Sequence, residues 1–207
     1  MKTIKLITPV FLLIMLFAGN AEPQTIKSNF ETGKKAFYSD DFETANKMFS
    51  GILNMESKDF DVCFYKGLIY YIYFDYEKSA AELTNALTLK KTAEVFFNRA
   101  LAYEKLEKYD NALKDYSDAL NIDKKFIDAY FNRASLYQQL RQTDKAIKDY
   151  GRVIKLNPKD DIAYYNRGLL YEELGNKEKA IVDFEKAISI DKIWKTELTK
   201  KINQLKN

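Results

Sequence analysis

From residue 26 onward, small and bulky apolar residues return in fixed columns every 34 residues. The clearest marker is an Asn-Arg pair at 98–99, 132–133 and 166–167. Placing those pairs in register divides the chain into segments 26–59, 60–92, 93–126, 127–160 and 161–194, the second one residue shorter than the others. A fixed period of this length marks a repeated supersecondary unit. Counting each segment from 1, position 8 is small: Gly33, Gly67, Ala100, Ala134 and Gly168. Position 20 is Ala45, Ser79, Ala112, Ala146 and Ala180, and position 24 is Phe49, Leu83, Tyr116, Tyr150 and Phe184. Positions 4, 8 and 11 share one helical face, and positions 20, 24 and 27 share another. The pattern therefore predicts two antiparallel helices per segment. The small residue at 8 lets them approach, and the side chain at 24 fills the space beside it. Asp41, Asp75 and Asn176 at position 16 suit a turn or helix N-cap between the two. Pro158 keeps the fourth segment's last helix from running into the fifth. Residues 195–207 predict one further helix, with Leu198, Ile202 and Leu205 covering the last segment and Trp194 beneath it. A stacked array needs such a polar lid.

Composition agrees with helices and narrows the chemistry. The 207 residues include only 7 Gly and 3 Pro, too few for a protein built from strands and tight turns. There is no histidine, which removes the commonest general base and metal ligand. Cys63 shares the position-4 column with Phe96, Tyr130 and Tyr164, and reads as a buried apolar filler. The adjacent acids Asp160–Asp161 and Glu172–Glu173 diverge around a helix or linker and read as solvated. No enzyme, metal site or cofactor is expected.

The N-terminus has the pattern of an export signal. Lys2 and Lys5 precede an apolar run, Val10 to Ala18, and small residues Gly19 and Ala21 allow a cut after 21. The run is shorter than the roughly 20 residues a membrane-spanning helix needs. Removing residues 1–21 takes Lys2 and Lys5 with it and lowers the net charge from +3 to +1. Such a balance gives no reason to expect nucleic acid or an anionic membrane as partner. The expected layout is a signal at 1–21, a loose lead-in at 22–25, five repeats over 26–194 and a capping helix at 195–207. The mature chain would be periplasmic or secreted, without a membrane span.

These columns resemble the tetratricopeptide repeat. The resemblance rests on the small residue at 8, Tyr70, Tyr103, Tyr137 and Tyr171 at 11, Ala at 20, the aromatic at 24 and Ala at 27. It is strongest in "YYNRGLLYEELGNKEKAIVDFEKAISID", residues 164–191, and weakest in the first segment, where Ala36 occupies position 11. It implies an all-α, right-handed solenoid of antiparallel helix pairs whose first helices line a concave groove. The function it implies is protein or peptide binding. The alternative is a structural subunit that scaffolds a cell-envelope complex.

The Arg and its Asn neighbour read differently. Arg99, Arg133 and Arg167 at position 7 accompany Asp115, Asp149 and Asp183 at position 23, and Lys66 accompanies Glu82. Where position 7 is Thr32, position 23 is Met48. A cation appears only with an anion, which predicts a partly exposed interhelical ion pair contributing about 0.5 kcal/mol. Asn98, Asn132 and Asn166 lie on the face away from the partner helix. They either hold ligand main chain, as in some peptide-binding members of the family, or are consensus residues without a ligand. Phe30, Phe64, Phe97, Phe131 and Tyr165 form an aromatic stripe on that face, joined in the second segment by Tyr65, Leu68 and Tyr71. Part of each ring is expected to pack and its edge to bind. A chaperone-tail carboxylate clamp, which needs Lys at position 5 and Asn at 9, is absent.

Overall fold

A computed structural model describes residues 23–206; the predicted signal lies outside them. Eleven α-helices and one 3₁₀ turn are found among the described residues, and no strands. They fall into two compact units divided after Glu56. The first holds α1 (Pro23–Tyr38) and α2 (Phe42–Leu53). Proline at the first helical position has no N–H to leave unsatisfied, so α1 takes in Pro23–Thr25, where a loose lead-in was expected. Phe30, Phe49 and Ile52 are buried between these two helices.

The second unit holds four helix pairs: α3 (Phe60–Ile72) with α4 (Tyr76–Leu89), α5 (Ala93–Lys105) with α6 (Tyr109–Ile122), α7 (Ile127–Gln139) with α8 (Thr143–Leu156), and α9 (Asp161–Glu173) with α10 (Lys177–Ile190). The turn Lys192–Trp194 leads into α11 (Lys195–Lys206). One apolar core runs unbroken from Cys63 to Leu170.

Each pair is joined by the same turn. Position 15 adopts a left-handed conformation in Asp40 (φ 60°), Phe74 (φ 62°), Glu107 (φ 57°), Arg141 (φ 54°) and Gly175 (φ 72°). The next N–H then donates back to position 11, as from Asn176 to the Tyr171 carbonyl at 2.8 Å. This six-to-one bond closes a Schellman motif. Asp41, Asp75 and Asn176 cap the following helices through the N–H groups of Thr44, Lys78 and Lys179.

Ser79 is fully buried, and its Oγ has no hydrogen-bond partner among the described residues. Alanine stands at this position in every other repeat. Stranding a buried hydroxyl costs about 1–3 kcal/mol. Ser79→Ala is expected to stabilise the fold by about 1 kcal/mol, measured as a rise in the urea midpoint.

At the C-terminal end, Leu198 and Ile202 bury themselves against Phe184 and Ala187. The opposite side of α11 is polar, with Lys195, Thr199, Lys200 and Asn203. Trp194 joins the same apolar cluster, but its ring stacks on Tyr165 at 4.4 Å and its Nε1 donates to Asp161 at 2.6 Å. Asp161 is thus a structural acceptor and not a solvated acid, and Asp160 caps α9 through the Ala163 N–H.

Candidate functional site

Two sets of side chains recur down the second unit, one between helices and one on the outer face of the first helices. The interhelical set is built around arginine. Arg99, Arg133 and Arg167 each donate from Nε and Nη2 to both carboxylate oxygens of Asp115, Asp149 and Asp183, at 2.7–2.9 Å. The carboxylates are only 1%, 4% and 2% exposed. The pairs are bidentate; the carboxylates lie deeper than expected, while the arginine side chains keep 15–21% of their surface exposed. Rings at positions 4 and 11 cover each guanidinium, as Tyr130 and Tyr137 cover Arg133, each at 5.8 Å. Glu82 also accepts from Asn85 Nδ2 at 3.3 Å.

The third guanidinium nitrogen ties one repeat to the one before it. Arg99 Nη1 donates to Thr84 Oγ1 at 2.9 Å, and Arg133 Nη1 to Ser117 Oγ at 2.8 Å. For Arg167 the corresponding residue is Gly151, and a Cβ built there would stand 3.4 Å from Nη1. Gly151→Ser would supply the missing hydroxyl and replace a mid-helix glycine, which is unfavourable in itself. A gain of about 1 kcal/mol is expected in urea unfolding, and only the smaller part due to helix propensity should remain in an Arg167→Lys background.

The second set faces outward. Phe64 stacks on Phe60 at 6.0 Å. Phe97 meets Tyr116 at 5.8 Å and Phe126 at 4.8 Å, and Phe131 meets Tyr150 at 5.5 Å. Each of these rings packs on one side and is half-buried, whereas Phe30, the stripe's member in the first unit, is buried at 4% exposure. Tyr65 departs from expectation: it is 9% exposed, turned in beside Phe64, and does not line the outer face. Leu68, Tyr71, Asn98, Asn132 and Asn166 are half-buried there. Asn98 Nδ2 donates to its own helix, to the Glu94 carbonyl at 2.8 Å.

Two core tyrosines reach through to this face, a feature the sequence reading missed. Tyr116 donates to Glu104, and Tyr150 donates to Gln138 Oε1 at 3.2 Å. Burial pushes the Tyr150 phenol up to about 12, while hydrogen bonding by Ser135 and Asn166 pulls the other way. One hydroxyl therefore gathers polar groups from two successive repeats. Burial also raises the Glu104 carboxyl, against the Tyr116 hydrogen bond and the Lys105 charge. The face continues to α11, where Lys201 pairs with Glu172 at 2.8 Å and Tyr165 donates to Glu197 at 3.1 Å.

A tetratricopeptide-repeat family model matches residues 93–126, 127–160 and 162–192. The chain carries tetratricopeptide repeats. Solved structures share the fold. MamA aligns with a TM-score of 0.68 at 23% identity, over 77% of this chain and 94% of its own. YrrB, a tetratricopeptide-repeat protein with an unusual peptide-binding site, aligns with a TM-score of 0.64 at 20% identity, over 85% of this chain and 90% of its own. The first tetratricopeptide domain of Spaghetti (RPAP3), bound to the HSP90 peptide SRMEEVD, aligns with a TM-score of 0.50 at 27% identity, over 55% of this chain and 90% of its own. No match was found among curated proteins. No helix among the described residues is long and apolar enough to cross a membrane.

Proposed function

We propose that the chain is an exported protein-interaction module that holds a peptide segment of a partner along the first-helix face of α3, α5, α7 and α9. The observation that carries this reading is the Tyr150 hydroxyl, with Gln138 on one side and Ser135 and Asn166 close by. Repeated amides that both donate and accept suit an extended main chain. YrrB and the Spaghetti domain, both described with peptides, support the class of ligand. The acidic tail held by the latter is not the expected ligand here. Position 5 is aromatic throughout, and position 9 holds Leu68, Leu101, Ser135 and Leu169.

The test is retention of a randomised pool of capped octapeptides on the immobilised chain. Asn132→Ala with Asn166→Ala is expected to lower retention at least tenfold while leaving the unfolding midpoint within error. Equal retention by the double variant would refute the groove. Export is checked separately: the chain recovered from the cell envelope or medium should begin at Glu22 by mass spectrometry.

A further inference from the structure

The groove reading leaves the occupant's chemistry open, and Glu104 bears on it. Its carboxylate is half-buried at the C-terminal end of α5. Tyr116 donates to it, and Tyr71 of the preceding repeat lies near that same tyrosine. Leu101, one turn back on α5, and Leu68 on α3 are half-buried apolar neighbours on the same face. Among the described residues no cation comes within ion-pair distance of Glu104. The charge that reaches it is that of Lys105, which is exposed.

The rest of the face has the same sign. Glu94, Asp128, Glu172 and Glu173 stand at groove positions of α5, α7 and α9, against Lys105 on those helices and Lys201 from α11. Lys201 is already spent on Glu172. The whole chain is nonetheless slightly basic, at +3. The face is thus negative on a protein that is not, with one acid half withdrawn from water among apolar side chains. A half-desolvated carboxylate gains most from a cation brought to it in a poorly hydrated setting.

Resting on the groove reading above, we propose that the held segment carries a lysine or arginine side chain that pairs with Glu104, flanked by apolar side chains lying on Leu68 and Leu101. The cation replaces the water on the open side of the carboxylate, while Tyr116 keeps the other side. An acidic segment meets repulsion at the same place, so the pairing selects as well as binds.

The test uses the full chain and three pools of capped octapeptides, randomised except at the fourth residue, which is lysine, norleucine or glutamate. Wild type is expected to retain the lysine pool at least tenfold better than the norleucine pool, and the glutamate pool least. Glu104→Gln keeps an oxygen for the Tyr116 hydroxyl and should fold, as an unchanged circular dichroism melt would verify. It is expected to erase the preference for lysine. Equal retention of the lysine and norleucine pools would overturn the pairing, as would a lysine preference that survives Glu104→Gln. If Asn132→Ala with Asn166→Ala still weakens binding in those cases, the groove stands and only its charge selectivity falls. Retention of no pool at all would overturn both.

Discussion

Arg133→Met is expected to destabilise the protein by about 3–5 kcal/mol, the cost of stripping one partner from a buried ion pair. Asp149 is 4% exposed and takes two hydrogen bonds from Arg133, at 2.7 and 2.9 Å. Without the guanidinium, a carboxylate remains between α7 and α8 with no cation opposite it. Ser117 also loses its contact with the next repeat. Arg133→Met with Asp149→Leu removes both charges and leaves apolar volume, so most of the loss should return. Urea unfolding followed by circular dichroism distinguishes the outcomes. A loss below about 1 kcal/mol for the single change would mean the pair behaves as an exposed one. A double variant as unstable as the single would mean that packing by the arginine stem, and not charge, holds the helices together.

The partner of each arginine was legible from the chain alone, because positions 7 and 23 change together from segment to segment. Its depth was not. The rings at positions 4 and 11 cover the guanidinium from its own helix, but the hydroxyl at position 25 reaches it from the preceding repeat, and the carboxylate is buried only once the helices are packed. Thr84 and Ser117 carried that signal as a polar column on an otherwise apolar approach. The helix pairs were legible for a simpler reason: a period of 34 with fixed small and bulky columns admits one kind of packing. Tyr65 misled because its column is otherwise polar, with Glu31, Asn98, Asn132 and Asn166. A phenol beside Phe64 gains more by turning inward than an amide does. The hydroxyls reaching the first-helix face were missed because Tyr116 and Tyr150 sit in a column of core fillers. Only their hydroxyls, matched by Glu104 and Gln138 at position 12, set them apart from Phe49, Leu83 and Phe184.

That distinction leads to the second large effect, at Gly168. Gly168→Ala is expected to destabilise by about 1–2 kcal/mol, although alanine is the better helix former by about 1 kcal/mol. An added Cβ would stand 2.6 Å from Phe184 Cε1 and 2.8 Å from Cδ1, closer than carbon atoms tolerate. Gly67 meets Leu83 in the same way, at 2.6 Å. Ala100 and Ala134 carry that methyl without difficulty, and opposite them stand Tyr116 and Tyr150. The physical difference is the phenol. It bonds to Glu104 or Gln138, and this tether is expected to hold the ring off the space that the methyl needs. Phe184 has no such anchor, so it settles over the glycine. Phe184→Tyr should therefore soften the Gly168→Ala penalty, with Glu172 as the acceptor if it yields part of its bond to Lys201. A double-mutant cycle is expected to show at least about 1 kcal/mol of favourable coupling, well beyond the scatter of independent sites. Strictly additive changes would show that the backbone spacing of α9 and α10, and not the tether on the ring, decides which small residue position 8 accepts.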